Sequence, residues 1–260
     1  MLNTIGRCNE ASPYTTPRDV ASRDECYFYH TMDVPGHGTV EGEWDLRGAI
    51  GAYLGDFDFA GKRVLDVGAA SGILSFHIEQ QGADVVSFDL SDAFDWDIVP
   101  FKSNDHEAAR RERRAHLRRI NNGYWFCHKA FGSRAKMVNG VVYDIPQTIG
   151  PVDVAIFGSI LLHLRDPFLA LENGARLAQE AMIVADVSPY GRLGSRFLKR
   201  PRFMPKADRP DWVTDGWFRL PPLLVIEYLR ILGFGDTSLV WGNYRYRDRK
   251  VPIYTVVARR

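Results

Sequence analysis

Apolar and polar positions alternate along this chain in a way that separates strands from helices. Val64-Leu65-Asp66-Val67 is a short apolar run that breaks into glycine-rich sequence at Gly68, as a buried parallel strand does when it enters a turn. Gly72-Ile-Leu-Ser-Phe-His-Ile78 then carries apolar residues at helical spacing. Asp84-Val-Val-Ser-Phe88 is a second short apolar run and ends at the acid Asp89. Continued along the chain, the pattern predicts strands near 63–67, 84–88, 136–142, 152–157, 181–187, 236–241 and 252–258. Helices are predicted near 72–81, 105–131, 166–178 and 222–232, with a shorter one ending about Leu54. Strand–helix alternation of this kind specifies a doubly wound α/β fold, with a seven-stranded, mostly parallel sheet. The last two strands are joined by a short polar turn within 243–250, which makes the final strand antiparallel.

Two stretches fall outside this rhythm. Residues 1–60 read as an N-terminal arm and cap segment before a domain spanning 61–260. Residues 188–221 hold five prolines and two tryptophans, Trp212 and Trp217. A connection that long without regular structure is uncommon unless it is functional, and it reads as a lid insertion over a ligand site.

The turn after the first strand carries the chemistry. Gly68 and Gly72 allow a sharp backbone turn and close approach of a ligand. Asp89, at the end of the next strand, is placed to accept hydrogen bonds from ribose hydroxyls. A dinucleotide fingerprint Gly-x-Gly-x-x-Gly fails at two positions, Ala70 and Ile73. The series Asp66, Gly68, Ala70, Gly72 matches acid-x-Gly-x-Gly-x-Gly with one departure, at Ala70. Asp66 can orient the loop and act, directly or through water, on an ammonium group. S-adenosylmethionine carries such a group and NAD does not.

Through Val64–Gly72, Asp89, Val142–Pro146 and Asp153–Pro167, the chain resembles the class I S-adenosylmethionine-dependent methyltransferases over about residues 40–260. The resemblance implies a Rossmann-like fold with S-adenosylmethionine as donor and S-adenosylhomocysteine as product. It implies cofactor contacts from Asp66, Gly68, Ala70, Gly72, Asp89, Leu90, Tyr143, Asp144, Ile145, Gly158 and Ser159. Among these, Asp144 is expected near the adenine amino group, and Phe157-Gly158-Ser159 beside the methyl donor.

Candidates for catalysis are three histidines. His163 lies just past the fourth strand, at the carboxyl edge where open α/β sheets bind ligands, and imidazole titrates near neutral pH. His30 and His37 belong to the cap segment, the latter flanked by Gly36 and Gly38. Tyr29, Trp44 and Arg47 of that segment, with Trp212 and Trp217 of the lid, are the candidate acceptor contacts. Asp166-Pro167 reads as a helix cap without chemistry.

Composition narrows the function further. Across 260 residues the net charge is +1, so no global electrostatic case exists for nucleic acid. The local exception is 105–119, rich in arginine; the simpler reading is a solvated helix face with acid–base pairs, the alternative an RNA-binding ridge. Three cysteines without metal spacing argue for a reducing compartment and no metal. No stretch approaches a membrane span, and the first residues lack a signal-type apolar region, so a cytoplasmic chain without a membrane partner is expected. The expected activity is methylation of an O or N nucleophile on a small molecule, including a small carboxylic acid or a specialised metabolite. The alternatives are a transferase acting on a tRNA wobble uridine with a carboxylated donor, and a non-enzymatic binding module. Oligomeric state is not readable from the sequence.

Overall fold

A computed structural model describes residues 12–210 and 214–260. Eight strands form the central sheet: β1 (Trp44–Asp45), β2 (Arg63–Val67), β3 (Asp84–Asp89), β4 (Lys136–Asn139), β5 (Val152–Gly158), β6 (Ala178–Asp186), β7 (Asp236–Tyr246) and β8 (Arg249–Arg259). Their order is β1-β7-β8-β6-β5-β2-β3-β4. The ladders among β6, β5, β2, β3 and β4 are parallel. β8 runs antiparallel to β6 and β7, and β1 antiparallel to β7. The expected α/β class and the antiparallel final strand are both present. The eighth strand is β1, two residues long and too short for any periodicity to announce it.

Four helices cover the sheet: α1 (Ile73–Gln80), α2 (His106–Phe131), α3 (Pro167–Leu177) and α4 (Pro222–Ile231). Adjacent strand residues point to opposite faces, so both faces need cover. Val64, Ile156 and Ile183 join the apolar layer that contains Phe76 of α1 and Tyr124 of α2. Leu65, Phe157 and Val184 join the layer that contains Leu171 of α3 and Leu229 of α4. Burial on both faces is why these strands read as near-continuous apolar runs. Helix ends follow local chemistry. Asp105 caps α2 by accepting from the Ala108 N–H at 2.9 Å, and Gly132 ends it in a left-handed conformation. Asp166 caps α3 by accepting from the Leu169 N–H at 3.0 Å, with Pro167 in the first turn.

Some boundaries differ from the sequence expectation, and β6 begins at Ala178 rather than near 181. β4 stops at Asn139 because a 3-10 turn begins at Val142. β7 and β8 extend to a two-residue turn at Arg247-Asp248, with Arg247 at φ +53°. The described part of the N-terminal arm is pinned, with the Thr15 N–H donating to the Met137 carbonyl of the edge strand β4 at 2.8 Å. In 188–221 a short helix, Gly191–Gly194, precedes a pairing of Arg202–Phe203 with Phe218–Arg219. Among the described residues, no helix is long and apolar enough to cross a membrane.

Topology positions the site. From β2 the chain winds outward to β3 and β4, then returns to the other side of β2 as β5. Such a reversal opens a crevice at the carboxyl ends of the strands, where ligands of open α/β sheets bind.

Candidate active site

The β2–α1 loop is built from left-handed backbone. Gly68, Ala70 and Gly72 have φ of +83°, +48° and +89°. At φ +83°, and with a Cβ that would lie 2.9 Å from Ile160 Cδ1 and 3.2 Å from its Cβ, the Gly68 position favours glycine. Ala70 holds its left-handed conformation at a cost of about 1–2 kcal/mol. It is fixed there by its N–H, which donates to Asp89 Oδ2 at 2.6 Å. The Leu90 N–H donates to the other carboxylate oxygen, Asp89 Oδ1, at 2.7 Å. Burial pushes the Asp89 carboxyl up to about 6, opposed by these two amide donors.

Asp66 lies behind the loop, fully buried. Its Oδ2 accepts from the Ser75 hydroxyl at 2.6 Å, and a chain of hydroxyls continues through Ser87 to Tyr124 at 2.8 Å per step. Its Oδ1 has no partner. Burial, then the nearby Asp89 charge, raises its carboxyl to about 6.

A cavity of about 420 Å³ opens in front of the loop. Gly68, Ala70, Asp89, Leu90, Tyr143, Gly158 and Ser159 line it from the carboxyl ends of the strands. Tyr29, His30 and His163 line it as well. Ser159 sits at φ +55°, a strained conformation of the kind that concentrates at ligand sites, with its hydroxyl 3.0 Å from the Tyr53 hydroxyl. A Cβ on Gly158 would meet Leu74 Cδ1 at 2.9 Å.

Two of the histidines lining the cavity, His163 and His30, differ in their hydrogen bonding. His163 Nδ1 is 2.7 Å from the Asp215 carbonyl, which can only accept. Nδ1 is therefore the donor, so in the neutral ring the lone pair falls on Nε2. His30 has a buried Nδ1 with no partner, and burial lowers its imidazole to about 4, so it is neutral at physiological pH.

Eight expected site residues are not brought to this cavity. Asp66 stands behind the loop. Gly72 opens α1, where a Cβ would lie 2.4 Å from the Phe76 ring, so its glycine serves helix packing. The 3-10 turn at Val142–Asp144 brings Val142 and Tyr143 to the cavity and leaves Asp144 exposed. Ile145 is buried in the core. His37 is exposed on a hairpin turn, its ring 4.6 Å from that of Phe126. Trp44 packs on Tyr246 at 4.7 Å. Arg47 is already held by the chain's own carboxylates, with its fork on Asp45 at 2.9 and 2.8 Å and a further bond to Asp33 at 2.9 Å. Trp217 is buried, its Nε1–H donating to the Asp97 carbonyl at 2.8 Å under the Arg165 guanidinium. Trp212 lies outside the described residues.

The structure adds cavity residues the sequence did not single out: Glu43, Trp96, Arg113, His116, Asp215, Tyr246 and Arg247. Arg113 bridges to Asp215 at 2.9 Å and lies over the Trp96 ring. Glu43 accepts from the Tyr27 hydroxyl, from the Tyr246 hydroxyl at 2.9 Å, and pairs with Arg247 at 3.2 Å. Burial disfavours the Glu43 charge, but these three partners outweigh it and hold the carboxyl below its usual value. No local signal marks these residues, because they come from segments up to about two hundred positions apart. In the arginine-rich stretch, Arg110 and Arg114 pair with Asp95, Arg118 with Asp92, and Arg113 with Asp215. Among the described residues, no group of three metal-ligating side chains occurs.

A family model described as a methyltransferase domain matches residues 44–197, more than half of the chain. The chain belongs to this methyltransferase family. Solved structures agree on the fold. Magnesium protoporphyrin IX methyltransferase from Synechocystis PCC 6803, with S-adenosylhomocysteine bound, is 18% identical at TM-score 0.52 over 82% of this chain and 80% of that one. The N-terminal domain of EvdMO1, in the presence of S-adenosylhomocysteine and D-fucose, is 17% identical at TM-score 0.50 over 81% and 79%. These identities establish a shared class I, Rossmann-like fold for the methyltransferase. Comparison of its sequence with curated proteins found no match.

Proposed function

We propose that this methyltransferase carries a methyl group from S-adenosylmethionine to an oxygen or nitrogen nucleophile of a small molecule. One observation carries the donor: the Asp89 carboxylate faces the cavity beside Gly68, each oxygen taking a single backbone N–H. That leaves a lone pair on each oxygen for a ribose hydroxyl. Gly68 and Gly158 line the cavity at the strand ends, where a Cβ would press on Ile160 and Leu74. The solved structures with the same fold hold S-adenosylhomocysteine, which supports the same donor here. When bound, S-adenosylmethionine supplies an electrophilic methyl group on a sulfonium.

The chain's own residues do the rest. Tyr29, Trp96, His116 and Tyr246 give the acceptor part of the cavity aromatic walls, suited to a planar acceptor held by stacking. Arg113 and Arg247 are neutralised by Asp215 and Glu43, which favours an uncharged acceptor. An uncharged hydroxyl or amine must lose a proton on transfer. His163 Nε2 is the base assigned to that proton, its tautomer fixed by the Asp215 carbonyl. His30, whose neutral ring lines the same cavity, is assigned to orient the acceptor. The internal pairing of Arg110, Arg113, Arg114 and Arg118 supports a small molecule over tRNA as the acceptor.

Calorimetric titration with S-adenosylhomocysteine tests the donor, and micromolar affinity is expected; no binding refutes it. Product release from S-adenosylmethionine across a panel of phenols, heteroaryl amines and small acids tests the acceptor. Turnover only on carboxylic acids would overturn the uncharged-acceptor reading.

A further inference from the structure

The lid insertion carries a surface that the active site does not use. From Arg192 to Phe203 the sequence reads Arg-Leu-Gly-Ser-Arg-Phe-Leu-Lys-Arg-Pro-Arg-Phe, with five cations and no acid. This sits in a chain whose net charge is only +1. The large apolar residues here face outward: Leu193 is 73% exposed, Phe197 78%, Phe203 55% and Leu198 42%. Among the described residues, Arg192, Arg196, Arg200 and Arg202 have no ion-pair partner, and Lys199 pairs with Glu227 at 2.6 Å.

The segment is held in shape rather than collapsed. Ser195 is buried, its hydroxyl 2.5 Å from both the Ser188 hydroxyl and the Gly191 carbonyl. The Tyr190 hydroxyl donates to the Arg200 carbonyl at 2.9 Å. Backbone bonds from Phe197 and Leu198 to the Gly194 carbonyl continue the helical turn past residue 194. That turn sets Leu193 and Phe197 four residues apart, on one side. Exposed apolar side chains on a fixed scaffold, interleaved with unpaired cations, are what an anionic bilayer surface binds: the cations meet lipid phosphates and the apolar groups enter the acyl boundary. Nucleic acid satisfies the cations but leaves the leucines exposed. We infer that residues 192–203 dock this methyltransferase peripherally on an anionic lipid surface. This contact needs no membrane-spanning segment, and it amends the expectation of no membrane partner.

Vesicle co-sedimentation tests it, with phosphatidylcholine vesicles against vesicles containing roughly 30% phosphatidylserine at about 50 mM salt. The chain is expected to sediment with the anionic vesicles only, and release is expected as salt rises. Leu193→Ser with Phe197→Ser, and separately Arg192→Glu with Arg196→Glu, are each expected to weaken binding about tenfold or more. Unchanged melting temperature and S-adenosylhomocysteine affinity in both variants will show an intact fold and donor site. A chain left in the supernatant with anionic vesicles at low salt overturns the proposal. So does vesicle binding that neither variant weakens, or retention on duplex RNA without vesicle binding.

Discussion

Asp89 supports two functions at once, and a substitution there separates them. Its oxygens accept from the Ala70 and Leu90 N–H groups at 2.6 and 2.7 Å, and they face the cavity. Asp89→Ala leaves both backbone donors without a partner, and a hydrogen bond to a charged acceptor contributes about 1.5–3 kcal/mol. The donor also loses its ribose acceptor, so S-adenosylhomocysteine affinity is expected to fall by about 1.5–3 kcal/mol, or roughly 10- to 150-fold. Asp89→Asn is the companion. It keeps one acceptor oxygen but turns an NH₂ toward the other donor, so loop damage persists while part of the ribose contact remains. Calorimetry with S-adenosylhomocysteine gives the affinity, and urea denaturation of the ligand-free protein gives the stability. Affinity within about threefold of wild type in a folded Asp89→Ala protein would refute the ribose assignment. A fall in both variants matched wholly by lost ligand-free stability would mean that Asp89 acts on the loop alone.

Asp186 is fully buried at the end of β6, with Oδ2 unpartnered, and burial raises its carboxyl to about 7. An acid raised from its unfolded value contributes stability that is complete below about pH 4 and lost as pH rises through about 7. Asp186→Asn should therefore flatten the pH–stability profile between these limits and stabilise the ligand-free protein at pH 8 by about 4 kcal/mol relative to its effect at pH 4; denaturation at both pH values checks this, and an equal effect at pH 4 and pH 8 would refute it. Gly72→Ala forces a left-handed alanine at φ +89° with its Cβ against the Phe76 ring, and a loss of about 2–4 kcal/mol is expected in urea; a variant within 0.5 kcal/mol, roughly the scatter of a neutral surface change, would show the helix start can shift freely. Once an acceptor is found, His163→Gln should lower kcat by about 10²–10⁴-fold at unchanged donor affinity; an unchanged kcat would remove the base.

The sequence by itself determined the class of fold, the β2–α1 loop and the acid at the end of β3. Each is local: a strand buried on both faces is a continuous apolar run, and a left-handed turn favours glycine, as at Gly68 with φ +83°. The cap of α3 at Asp166-Pro167 is legible for the same reason. The side of the cavity away from the loop was not legible, because Glu43, Arg113, Asp215 and Tyr246 meet only when the residue before β1, α2, the 188–221 segment and β7 converge, and each is unremarkable among its sequence neighbours. Arg47 reads as an acceptor contact, yet its neighbour Asp45 takes its fork and the fold brings Asp33 onto the same guanidinium. Asp144 has the right sequence environment for a base contact, yet the 3-10 turn presents Tyr143 instead. Periodicity and turn chemistry act over a few residues, so sequence reveals them; pairing of charges and the direction of a side chain depend on what packs opposite, and the tertiary structure alone decides that.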